Sequence, residues 1–199
     1  MPDRETSRGS RRRRLLLQSA KEHFSSKGYG HSTTRSIAES TGVTEAVLFQ
    51  YFATKRELFE TCLSHFAPET FIDIDDGQLD QMAVSEAISA IIRSYLDCVS
   101  RHQQWFGMLV QECARDINVR DTCHEYLRPV GDTFADFLHQ REDNGDIPEG
   151  GADSIDVTVR AAVRGFVHRL FREPPEDFAG RRDRFVGAVK DVLQTDLAG

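Results

Sequence analysis

The chain has 199 residues, 39% of them hydrophobic and 29% charged, with a formal net charge of −7. That is enough for one sizeable core or two small ones, and the composition excludes a collagen-like, low-complexity or disulfide-dense chain. The charge is uneven: Met1 to Ala67 carries 11 Lys and Arg against 7 Asp and Glu, the remainder 14 against 25. A basic front ahead of an acidic back suits a protein that docks one end on nucleic acid.

Residues 1–10 are polar and expected to be a disordered tail. Arg11, Arg12, Arg13 and Arg14 follow, an arm suited to phosphates or to the minor groove. Leu15 to Leu17 imitate the start of a signal peptide, but Gln18, Ser19 and Lys21 break the apolar run too early. A first helix is expected from about Arg12 to Lys27, ending at Gly28, with Leu16, Ala20 and Phe24 on its inner face. Thr33 or Thr34 can cap a second helix, in which Ile37 and Ala38 face inward. Gly42 follows Thr41 where a tight-turn residue is expected. Thr44 can cap a third segment containing Ala46, Val47, Leu48, Phe49, Tyr51 and Phe52. Two helices joined by such a turn form a helix-turn-helix, whose second helix enters the major groove. Thr54 and Glu57 form a capping box for the next helix. Lys55 and Arg56 lie in its first turn, where the macrodipole disfavours cations and a DNA phosphate would reverse the penalty.

The ordered set Phe24, Gly28-Tyr29, Thr34, Ile37-Ala38, Gly42-Val43-Thr44, Leu48, Tyr51-Phe52 and Lys55 resembles the signature of tetracycline-repressor (TetR) type regulators, over about Leu16 to Leu63. The resemblance implies an all-α homodimer, with an N-terminal DNA-binding domain (residues 11–66) and a C-terminal ligand-binding and dimerisation domain (residues 67–199). The candidate DNA contacts are Arg12, Arg13, Arg14, Thr33, Thr34, Arg35, Thr44, Glu45, Ala46, Val47, Phe49, Gln50, Tyr51 and Lys55. Two positions depart from the family pattern: Glu45 stands where a basic residue is common, and Phe49 where Tyr is common. No Lys or Arg falls between Thr44 and Phe52. Glu45 and Gln50 are the side chains of this segment best suited to base edges, a carboxylate accepting from cytosine and an amide binding adenine.

The helix opened by Thr54 is expected to reach Phe66, with Leu58, Phe59 and Cys62 inward, and to close at Pro68. Phe71 to Gln81 reads as an acidic inter-domain loop; its Asp residues lack the terminal Glu of a calcium loop. Helical periodicity then runs from Val84 to about His102, through Trp105 to Cys113, and from about Val119 to Glu142 with a kink expected at Pro129. A loop around Asn144 to Gly151 precedes two last helices, Ser154 to about Arg172 and Phe178 to Leu197. A small apolar or aromatic effector is expected among Tyr95, Val99, Trp105, Phe106, Leu109, Cys113, Tyr126 and Phe134. Phe166, Leu170, Phe185, Val189 and Val192 are expected to form the interface of a two-fold dimer, and the bound double-stranded DNA to be a pseudo-palindromic operator.

Cys62, Cys98, Cys113 and Cys123 lack zinc or redox spacing and read as buried free thiols in a reducing cytoplasm. No apolar run approaches the roughly 18 residues of a membrane helix. Hydrolase, zinc-protease and phosphate-loop motifs are absent, so neither catalysis nor a cofactor is expected. The expectation is a sequence-specific transcriptional regulator, a repressor released from DNA by a small molecule.

Overall fold

The computed structural model describes residues 3–65, 74–172 and 176–197, and every regular element among them is an α-helix. In chain order these are α1 (Asp3–His31), α2 (Thr34–Ser40), α3 (Glu45–Phe49), α4 (Lys55–His65), α5 (Asp76–Asp80), α6 (Val84–Arg101), α7 (Gln103–Arg115), α8 (Ile117–Asp143), α9 (Gly151–Arg172) and α10 (Phe178–Leu197). The helices form two compact units, one of Met1–Ala67 with Gln103–Tyr126 and the other of Pro68–His102 with Leu127–Gly199.

In the first unit α1 packs on α2, α4 and α7. Leu16, Ala20 and Phe24 are fully buried, as are Ile37, Ala38 and Leu48. Phe24 meets Phe59 edge-on at 5.3 Å, Tyr29 lies 4.8 Å from Phe59, and Trp105 of α7 reaches Phe59 at 6.2 Å. Such aromatic pairs add about 0.5–1.5 kcal/mol each beyond area burial. The buried Cys62 thiol donates to the Leu17 carbonyl at 3.6 Å, tying α4 to α1.

The second unit is held by α6 against α10. Ile88, Ile91, Ile92 and Leu96 of α6 are buried, as are Val186 and Leu193 of α10. Arg182 of α10 pairs with Asp97 of α6, and Arg93 of α6 with Asp183 of α10. The buried Arg141 guanidinium donates to Leu79 O at 2.5 Å, Met82 O at 2.9 Å and Asp146 Oδ2 at 2.7 Å, fastening the end of α5 to the end of α8. Glu142 accepts from Gly150 N at 2.6 Å and Ala152 N at 2.9 Å, so α9 is capped from another helix and starts at Gly151, ahead of Ser154.

Four expectations are corrected. Residues 3–10 are not a disordered tail but the first turns of α1; Arg and Glu are good helix formers, and no second proline follows Pro2 in the run. The α7 helix and the start of α8 pack with the N-terminal helices rather than with the second unit, because Trp105 buries itself against Phe59. The third segment is shorter than expected: α3 stops at Phe49, and the chain turns before the buried Phe52. The acidic stretch is partly helical, with α5 running from Asp76. Phe66, Pro68 and residues 71–73 lie outside the described residues. The α8 helix runs on through Pro129, which is exposed, so the carbonyl that loses its donor there can turn to water.

Candidate nucleic-acid interface

Three local devices set α2 and α3 in place. The Thr33 hydroxyl accepts from Ser36 N at 3.1 Å and caps α2. After Thr41, Gly42 takes φ +72°, and the N–H groups of Gly42 and Val43 return to Glu39 O and Ala38 O at 3.0 and 3.1 Å. That left-handed step closes the helix and reverses the chain at little steric cost only in glycine. Thr44 then caps α3, accepting from Val47 N at 3.4 Å. Below them Ser19 of α1 donates to Ile37 O at 3.2 Å, and its hydroxyl hydrogen-bonds that of Ser40 at 2.5 Å.

These devices leave one face open. Thr33, Arg35, Thr44, Ala46 and Gln50 are exposed, and Phe49 is 44% exposed, while Leu48 behind them is fully buried. Val47, Thr34 and Tyr51 are half-buried at its margin. Phe49, on the five-residue α3, is of a residue type that can make apolar contact with a thymine methyl.

The charged candidates are more committed than the sequence suggests. Glu45 accepts from Thr34 Oγ1 at 2.5 Å and pairs with Arg35 Nε at 3.7 Å, so its carboxylate bridges α2 and α3. Lys55 Nζ sits 4.4 Å from the centre of the Tyr29 ring, and desolvation holds its pKa below the usual lysine value, against the pull of Glu112. Arg56 pairs with Glu60 at 2.8 Å and donates to Thr122 at 3.3 Å. Arg11, Arg12, Arg13 and Arg14 are all exposed on α1, and Arg13 lies 5.1 Å from the centre of the Phe52 ring. The sequence reading missed the cradle for Lys55 formed by Tyr29 and the brace formed by Glu112, which accepts from Gly30 N at 3.4 Å. An acidic residue inside the apolar run of α7 was the only available signal for the latter.

The effector candidates are divided. Trp105, Phe106, Leu109, Cys113 and Tyr126 belong to the first unit, Tyr95, Val99 and Phe134 to the second. Two clefts, of about 350 Å³ beside Arg141 and about 310 Å³ beside Glu112, are lined by other residues. Of the dimer candidates, Phe166 stacks on Phe185 at 4.4 Å, Leu170 is buried and Val189 half-buried, while Val192 is 54% exposed. No group of His, Cys, Asp and Glu among the described residues could hold a metal, and none of their helices is long and apolar enough to cross a membrane.

A capped helix pair around a left-handed glycine, with its second helix open to solvent and arginines beside it, defines a helix-turn-helix DNA-binding protein. Residues 16–62 match the family model "Bacterial regulatory proteins, tetR family". The uncharacterized HTH-type transcriptional regulator YvkB of Bacillus subtilis is 26% identical over 78% of this chain and 81% of its own length. The nucleoid occlusion factor SlmA of Marinobacter nauticus is 28% identical over 94% of this chain and 98% of its own length. The fold matches that of the transcriptional regulator FadR from Bacillus subtilis, solved in complex with stearoyl-CoA, with a TM-score of 0.73 at 16% identity, over 92% of this chain and 97% of that one. Residues 16–62 thus carry the segment typical of tetR-type bacterial regulatory proteins, within a fold shared with solved transcriptional regulators over nearly the whole chain.

Proposed function

We propose that the protein is a homodimeric, sequence-specific repressor of transcription that leaves a pseudo-palindromic operator when a small apolar or aromatic ligand binds. The observation that carries this reading is the open face of α2 and α3, on which Thr33, Arg35, Thr44, Ala46, Phe49 and Gln50 are exposed together. Residues 11–66 hold that face, and α9 and α10 of the second unit are assigned to dimerisation. Release follows from linkage: a ligand that favours one spacing of the two DNA-binding heads lowers operator affinity by its differential affinity for the two states. The ligand-bound FadR structure supports an apolar effector by analogy of fold alone.

The test is selection of duplexes from a random pool by the purified protein, followed by mapping of the selected sequence on the chromosome. Two inverted half-sites in promoters support the reading; no enriched sequence overturns it. The nearly full-length likeness to a nucleoid occlusion factor favours a second reading, in which sites are scattered over the chromosome away from promoters. The same map decides between the two.

A further inference from the structure

The cleft of about 310 Å³ lies within the first unit, between the last turns of α1 and the α7 helix. Its chemistry is unlike that of an apolar effector site. The carboxamides of Gln103, Gln104 and Gln111 line it, and Met108 is the apolar side chain beside them. Lys27, also in the lining, is exposed and pairs with no carboxylate among the described residues. Glu112 lines the same cleft although it is only 5% exposed. Its carboxylate is only half used. Oε2 accepts from Gly30 N at 3.4 Å, a long bond, and Oε1 accepts no hydrogen bond among the described residues. Arg115 Nη1 stands 4.0 Å from Oε1, on a side chain that is 64% exposed. That is an ion pair too long to be a hydrogen bond. Oε1 rests against Gly28, where a Cβ would come within 2.5 Å of it. A buried carboxylate oxygen in this position is costly unless a donor reaches it.

We propose that this cleft binds a free α-amino acid with a polar side chain. The ligand's ammonium donates to Glu112 Oε1, a charge-assisted hydrogen bond that no described residue supplies. Its carboxylate meets Arg115 and Lys27. A simple cation would face those two basic side chains unpaired, and a simple anion would face the buried Glu112. A ligand carrying both charges satisfies both. The spacing fits as well. The two charges of an α-amino acid sit on groups joined to one carbon, and Oε1 and Nη1 are 4.0 Å apart, so one molecule reaches both. The three glutamines both donate and accept, which suits a polar side chain and offers little to an aromatic one. The volume is at the small end of ligand sites, which run from about 300 to 1,000 Å³, and so suits a single amino acid.

The ligand joins α1 to α7, inside the unit that also carries α2 and α3. Glu112 already holds Gly30, just ahead of the Thr33 cap. Binding therefore stabilises this packing by mass action. The site is separate from the apolar effector proposed above, and its test needs no DNA.

The experiment titrates the full-length protein with each of the protein L-amino acids alone, followed by calorimetry. An amino acid with a polar side chain is expected to bind, one molecule per chain, and to slow hydrogen exchange at the Gly30 amide. Its N-acetyl derivative lacks the ammonium and its decarboxylated amine lacks the carboxylate. Each should bind about tenfold more weakly or worse. Arg115→Gln, at an exposed position, should weaken binding by about threefold or more. Glu112→Gln keeps the shape of the side chain, removes its charge and should abolish binding. Should that variant fail to fold, the N-acetyl derivative decides the role of Glu112 in the parent protein. No binding by any amino acid at about 10 mM overturns the proposal. So does a preference for leucine or phenylalanine, equal binding of the N-acetyl derivative, or binding left unchanged by both Arg115→Gln and Glu112→Gln.

Discussion

At the scale of single residues, the fate of Glu45 turns on contacts that sequence order does not show. Its carboxylate, offered by position as a base reader, is taken up by Thr34 and Arg35. Glu45→Gln should therefore keep the bridge to Thr34, remove a negative charge from the DNA face and tighten binding to all duplexes alike, with the selected sequence unchanged. A changed base at one position per half-site would show instead that the carboxylate reads DNA, a contact worth about 1–3 kcal/mol. Lys55 has a similar double life. Lys55→Ala removes a cation resting on Tyr29, a loss of about 0.5–1 kcal/mol in stability. If Lys55 also meets a phosphate, the slope of log affinity against log salt falls by about one counterion. Equal slopes in mutant and parent would confine it to Tyr29. Cys62 gives a pH prediction. Its folded pKa is raised to about 12 from 9.0 by burial, so its contribution to stability is full below pH 9 and is lost as the pH rises towards 12. Urea unfolding across that range should show a shallower decline in Cys62→Ala than in the parent.

At the scale of elements, two glycines separate backbone conformation from packing. Gly42 and Gly28 both have positive φ, +72° and +81°, but a Cβ on Gly42 would meet nothing within 4 Å, whereas one on Gly28 would lie 2.5 Å from Glu112 Oε1. Gly42→Ala should cost about 1–2 kcal/mol from the left-handed backbone alone, and Gly42→Asn less, since asparagine tolerates that region. Gly28→Ala should cost more and should be partly relieved by Glu112→Gly, which clears the clash; chemical denaturation of the single and double mutants measures the difference. The turn at Gly42 was legible because capping threonines and a glycine are local signals. The brace at Gly28 was not, because Glu112 arrives from 84 residues further along the chain.

At the scale of the whole molecule, the exposed apolar side chains bear on assembly. Val192 on α10 is 54% exposed and Val157 on α9 is 70% exposed, on the two helices expected to form the dimer. Phe166 and Phe185 already stack within one chain and stiffen that surface. A second copy that covers both valines would bury surface worth about 25 cal/mol per Å² before the costs of association. Val192→Glu should shift sedimentation from dimer to monomer at micromolar concentration while the helical signal is kept, and operator affinity should fall with it. A parent protein that already sediments as a monomer would remove the interface from consideration.

What the sequence determined by itself is the set of features that short-range chemistry controls. Periodic apolar positions marked the long helices, Thr33, Thr44 and Thr54 marked helix starts, and Gly42 marked the reversal between α2 and α3. The ordered motif from Phe24 to Lys55 carries the resemblance to tetR-type regulators by residue order alone. Tertiary structure alone decided how the charges are spent and where α7 belongs. Arg13 on Phe52, Lys55 on Tyr29 and Glu45 on Thr34 are partnerships between separate helices, invisible to a reading that moves along one helix at a time. The α7 helix carries the same apolar pattern as its neighbours, and periodicity says which face is buried without saying against what. The Phe59–Trp105 contact answers that question and, with Glu112 on Gly30, binds this helix to the N-terminal helices.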